Sequence, residues 1–167
     1  KLNKKGDVWI SVAIYMALSV VVLTVIIAAG NPILDKMRAK NTFTQTKEIM
    51  NNLNDMINQV ASQSIGSQTP ATINIKEGEL VVNIDDFSTP PPPNINTIIW
   101  SFDSKTNLGI EPGLDIKEGA LLLYAKKISE ESYNLQIKLD YSDRALTLSP
   151  ASLKKITKQN ILVSNEG

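Results

Sequence analysis

The sequence predicts an α+β protein: a long N-terminal helix, hydrophobic and then amphipathic, followed by a C-terminal all-β head, antiparallel and sandwich-like. Three observations carry that class. Residues 8–29 hold no charge, and only Ser11, Ser19 and Thr24 interrupt the apolar run. Beyond Pro32, apolar residues recur at alternating steps of four and three, the period of a helix with one buried face. After Gly66 the period falls to two, in runs rich in Ile, Val, Leu and Tyr separated by turn residues.

The apolar run spans about 22 residues, roughly 33 Å of helix, which matches the hydrocarbon thickness of a bilayer. It reads as a span and not as a core helix. Lys1, Lys4 and Lys5 precede it, with Gly6 and Asp7 at its edge. That basic flank favours an N-terminus on the cytoplasmic side and export of everything that follows. Asp7 is suited to begin the helix, because its carboxylate accepts from free backbone N–H groups and favours the positive end of the dipole. The sharper alternative is that Asp7 neutralises a basic group on a neighbouring subunit. A chain that opens on Lys reads as a processed form or a fragment. Ala28-Ala29-Gly30 mimics a signal-peptide cleavage site, but the apolar run is too long for one and continues into further helical pattern.

Gly30 and Pro32 mark an expected break near residues 30–32, since proline removes a backbone donor and crowds the preceding turn. The helix is expected to continue past it over residues 33–62. There Ala39, Phe43, Thr46, Met50, Leu53, Ile57 and Val60 form one stripe, widened by Ile49 and Met56, while Lys36, Arg38, Lys40, Lys47, Glu48 and Asp55 mostly lie off it. The upper part of such a helix is expected to pack on its own head, and the lower part on a partner.

The head is expected over residues 67–167, with strands at 71–76, 79–85, 97–103, 120–127, 133–140, 144–149 and 160–164. One echo stands out: Ile75-Lys76-Glu77-Gly78 and Ile116-Lys117-Glu118-Gly119 each lead into a strand. Two hairpins in one small sheet, each using glycine for a positive φ, account for it. Pro90-Pro91-Pro92-Pro93 is expected to be a stiff crossing that joins no ladder. Trp100 and Phe102 alternate with their neighbours and read as core packing first, as a binding face second.

Composition excludes whole classes of chemistry. The 167 residues carry a formal net charge of zero, and nothing in that balance suggests nucleic acid. There is no cysteine and no histidine. Disulfides, thiolate metal sites, Ser-His-Asp triads and His-bearing zinc sites are therefore impossible within this chain. The remaining candidates are carboxylates: Asp85-Asp86, Asp103, Asp115, and Asp140 with Asp143. Asp140-Tyr141-Ser142-Asp143 lacks the turn glycine and distal Glu of a calcium loop and falls where a hairpin turn is expected. No phosphate-cradling loop and no nucleophile elbow is present. No catalytic residue, metal ligand or cofactor is expected. Asn-linked sequons are absent, while O-linked sugars remain open.

A basic segment ending in Lys4-Lys5-Gly6-Asp7, the continuous apolar helix, its amphipathic continuation and an all-β head together resemble an archaeal type IV pilin or archaellin. The pattern match covers the first sixty or so residues, and the architecture covers the whole chain. The resemblance implies a membrane-inserted precursor processed near Lys4, Lys5 and Gly6, then extraction of subunits into a helical filament with the helices bundled at its centre. This chain departs from the pattern in carrying no Glu five residues into the apolar segment.

The surface expected to drive polymerisation is Asp7, Val8, Trp9, Ile10, Val12, Ile14, Tyr15, Leu18, Val22, Leu23 and Ile26, with Ser11, Ala13, Ala17, Ala28 and Ala29 allowing close approach. The expected role is structural and non-enzymatic: a filament subunit for adhesion or attachment. Its partners are many copies of itself, and a membrane before assembly. The rivals are an archaellum subunit and a single-pass anchored surface protein that binds a partner or carbohydrate without polymerising. The sequence does not name an adhesion target.

Overall fold

Residues Lys4–Ala61 form one continuous helix, α1, in the computed structural model of the chain. The structure describes residues 4–83, 96–130, 132–143, 155–156 and 158–165, with side chains described from Trp9 onward except at 83, 155–156 and 158–160. The expected strand at 144–149, Asp85-Asp86 and the four prolines at 90–93 lie outside the described residues. The chain forms two compact units, Lys1–Arg38 and Ala39–Gly167.

At the expected break the helix continues, as expected, with Pro32 inside it. Proline removes one donor, which leaves the carbonyl four residues back without its usual partner, but the bonds of the neighbouring residues carry the helix across. One expectation about the helix is corrected: it begins at Lys4, so Asp7 falls inside the first turn and not ahead of it as the cap.

Eight strands follow among the described residues: β1 Gln68–Asn74, β2 Glu79–Asn83, β3 Thr97–Ser104, β4 Asp115–Glu118, β5 Leu121–Ser129, β6 Ser132–Asp140, β7 Lys155–Ile156 and β8 Lys158–Ser164. Every pairing is antiparallel. One sheet has six strands in the order β4-β5-β6-β3-β2-β7, and the second is the pair β1-β8. The expected α+β class, a long apolar helix followed by an antiparallel β head, is therefore what the chain adopts.

Alternation decides which face of the large sheet is buried. Leu121, Leu123 and Ala125 of β5 and Leu135, Ile137 and Leu139 of β6 point one way and are all buried, while the residues between them are half-buried. Ile98 and Trp100 of β3 and Leu80 and Val82 of β2 continue that face. The core closes on it from two other elements: Phe43, Met50 and Leu53 of α1, and Ile73 of β1 with Ile75 just beyond it. The predicted stripe is thus buried by its own head, with Ala39, Thr46 and Val60 also buried and Ile49, Met56 and Ile57 half-buried. Because the helix supplies part of the core, the compact unit starts at Ala39 and not at the expected head boundary of residue 67.

Trp100 is fully buried, stacks on Phe102 at 5.7 Å between ring centroids and meets Phe43 at 5.9 Å in a tilted arrangement. Its indole N–H donates to the Glu77 carbonyl at 3.1 Å, which fixes the turn before β2 against β3. The two echoed turns differ. Glu118 pairs with Leu121, so Gly119 and Ala120 form a two-residue hairpin loop between β4 and β5, with Gly119 at φ 62°. Gly78, at φ 80°, instead carries the chain from β1 in the small sheet to β2 in the large one, so the expectation of two hairpins holds for one copy only.

Candidate functional site

The first unit has a surface that folding leaves uncovered. Every large apolar side chain from Trp9 to Ile27 is at least 42% exposed, with Trp9 at 77% and Tyr15 at 69%. Stripe residues of the second unit such as Met50 and Val60 are at 0–1%. One helix therefore carries a segment whose apolar groups are satisfied within the chain and another whose apolar groups are not. Fourteen large apolar side chains lie exposed between Trp9 and Ile27. At about 1.5 kcal/mol each, the gross drive to remove them from water is on the order of 20 kcal/mol.

Two hydroxyls within this segment are bonded to the helix itself. Ser19 Oγ donates to the Tyr15 carbonyl and Thr24 Oγ1 to the Val20 carbonyl, each at 2.8 Å and each four residues back. Such back-bonding satisfies a hydroxyl without a partner from outside the helix. An apolar surrounding, whether lipid or packed side chains, can accept this surface without stranding either group.

Of the residues expected to drive assembly, Trp9, Ile10, Val12, Ile14, Tyr15, Leu18, Val22, Leu23 and Ile26 are all exposed. Leu18, Val22, Leu23 and Ile26 line one shallow hollow together with Ser19. Lys4, Lys5, Gly6, Asp7 and Val8 are helical, and the structure describes their backbone only. Ile33, Leu34 and Met37, exposed at 61%, 51% and 63%, extend the uncovered surface past Pro32. The sequence reading missed them, although Ile26, Ile33 and Met37 keep a helical spacing through the proline.

Two of the carboxylates considered for chemistry, Asp140 and Asp103, make local hydrogen bonds. The Ser142 backbone N–H donates to Asp140 Oδ1 at 3.0 Å, closing the turn after β6. That bond holds the Asp140 carboxyl below its ordinary value, against a smaller opposing effect of burial. Asp103 accepts from Asn134 Nδ2 at 2.7 Å across the β3–β6 pair. Asp115 lies on β4, whose four positions are all exposed. Among the described residues, no group of three or more carboxylates is placed to hold a metal ion.

No protein-family model, no curated protein and no solved structure matches the chain.

Proposed function

We propose that the chain is a structural subunit of an extracellular type IV pilus-like filament, of the archaeal kind, which polymerises by bundling its N-terminal helices and serves adhesion or attachment. The observation that carries this reading is the uncovered apolar helix of residues 9–29 joined to a segment that is buried in its own β head. Such a helix is stable in two settings, a bilayer or a bundle of like helices, and a subunit that passes from the first to the second uses both. The small residues Ala13, Ala17, Ala28 and Ala29 support close lateral approach. The role needs no cofactor and no nucleic acid, and the partner is the same chain in many copies. Archaellar motility is a close variant of the same assembly.

The second reading is a single-pass membrane anchor for a surface-binding β head. It is favoured by the match between about 33 Å of apolar helix and one hydrocarbon layer. Shearing cells and imaging the sheared material by negative stain separates the two. Long particles containing the chain support the filament. Recovery solely from detergent-solubilised membrane supports the anchor and overturns the filament.

A further inference from the structure

We infer that Lys36 and Arg38, flanking the exposed Ile33, Leu34 and Met37, form a collar that binds the headgroups of anionic phospholipid at the exported face of the membrane before assembly. The inference rests on the membrane-inserted stage of the function proposed above.

Charge gives the first argument. Both side chains are exposed, and among the described residues neither has an ion-pair or side-chain hydrogen-bond partner. Residues 30–40 hold three cations, Lys36, Arg38 and Lys40, against the single acid Asp35. Orientation signals place cations on the cytoplasmic flank, so a cationic exported flank runs against them and calls for another role.

Geometry gives the second. At about 100° per residue, Ile33, Leu34 and Met37 fall within an arc of about 100°, with Lys36 beyond one edge and Arg38 beyond the other. On a helix that crosses the membrane, this arc faces the lipid sideways, and the long cationic side chains on either side of it are free to extend along the helix axis to the headgroups.

Depth gives the third. From Trp9 to Lys36 the helix rises about 40 Å, the thickness of a bilayer with its headgroups. Trp9 is 77% exposed and is the residue type that favours the opposite interface. With the indole in one interface, Lys36 and Arg38 reach the other headgroup layer while the apolar residues between them fill the hydrocarbon. An anionic headgroup there meets two cations, each worth about five-fold in local lipid enrichment at low salt.

The test uses the full chain in vesicles of phosphatidylcholine mixed with phosphatidylglycerol, with either lipid spin-labelled, and measures the association of phosphatidylglycerol relative to phosphatidylcholine. The double variant Lys36→Gln, Arg38→Gln is expected to lower that ratio by about two-fold, since the measurement averages over all lipids around the helix. The charge-preserving pair Lys36→Arg, Arg38→Lys is expected to keep it. Resistance to alkaline extraction reports insertion separately. A ratio unmoved by the Gln variant in chains that remain inserted overturns the collar and leaves the membrane stage standing. Release of the unmodified chain by alkali overturns both.

Discussion

A Cβ placed on Gly78 would stand 2.4 Å from the carbonyl oxygen of Ser101. It would also lie 2.8 Å from Trp100 Nε1, the atom that donates to Glu77. Gly78 has a φ of 80°, so a side chain there is strained and also obstructed by backbone. Gly119 shares the strain at φ 62°, yet no atom lies within 4 Å of its added Cβ. The echoed glycines thus predict unequal costs. Gly78→Ala is expected to lose about 2–4 kcal/mol of stability and Gly119→Ala about 1 kcal/mol. Thermal unfolding of the full chain in detergent, followed by near-UV circular dichroism of the buried Trp100, measures both. Equal losses would show that the close approach to Ser101 carries no weight.

Two methionines on one helix make a second contrast. Met50 is fully buried in the core against the large sheet, whereas Met37 is 63% exposed in the first unit. Met50→Ala is expected to cost about 2–5 kcal/mol through lost transfer energy and a cavity, and Met37→Ala less than about 0.5 kcal/mol in the isolated chain. Denaturant titration of the full chain reads the difference. A large loss at Met37 would mean that its surface is covered within the chain.

What the sequence made legible was whatever periodicity controls. The apolar helix, the buried stripe from Ala39 to Val60, and β3, β5 and β6 all follow from spacing, because one-sided burial imposes a period. Asp115–Glu118 is absent from the expected strands because all four positions are exposed at a sheet edge, so no alternation of burial marks it. β7 is two residues long, below the length at which any period shows. β1 starts at Gln68 and includes Pro70, which an edge strand with one neighbour tolerates and a central strand would not. The echo at Gly78 and Gly119 was visible as a pair of positive-φ turns. Which strands those turns join depends on pairing between distant segments, and local sequence does not encode that. For the candidate site, exposure of the apolar helix was legible from its length, but its continuation to Ile33, Leu34 and Met37 was hidden by reading Pro32 as a break.

The end of α1 depends on a residue more than a hundred positions away. Asn165 Nδ2 donates to the Val60 carbonyl at 3.3 Å and to the Gln63 carbonyl at 2.9 Å, and the Asn165 backbone exchanges bonds with Gly66 and Ser67. The last turn of the helix holds no basic residue, so this amide supplies a donor that a lysine or arginine often would. Asn165→Ala is expected to cost about 0.5–1.5 kcal/mol and to speed amide exchange in the residues around Gly66. Asn165→Asp replaces a donor by an acceptor facing carbonyls and is expected to cost more at neutral pH. Hydrogen exchange of the full chain, resolved to peptides, checks both, and unchanged exchange around Gly66 would remove Asn165 from the capping role.

Asp140 gives the head one defined response to acid. Its folded-state pKa lies below the ordinary 3.8, chiefly because the Ser142 N–H donates to the carboxylate. A depressed carboxyl contributes stability above its unfolded pKa and loses that contribution as pH falls through the folded value. Below neutral pH the contribution therefore persists to about pH 4 and declines in more acid solution. Asp140→Asn is expected to flatten that part of the stability profile, with little change in slope at pH 6–8. Unfolding free energies measured across this range for the two proteins test it. A matching acid slope in both would assign the loss to other carboxylates.

Val22 sits near the middle of the uncovered helix, half exposed, on the hollow it shares with Leu18 and Ile26. A carboxylate there costs about 3 kcal/mol in a bilayer, and in a bundle every copy would bring its own charge beside those of its neighbours. Val22→Asp is expected to abolish filaments, whereas Val22→Ala, which keeps the surface apolar, is expected to retain them. Since Val22 lies outside the unit that begins at Ala39, the head should keep its near-UV signature in both variants. Alkaline extraction before assembly tells whether the charge acts on insertion or on packing: a variant that inserts but yields no filament places the defect in helix–helix contact. Unchanged filament yield with Asp at this position would mean that the helices are not what the subunits pack together.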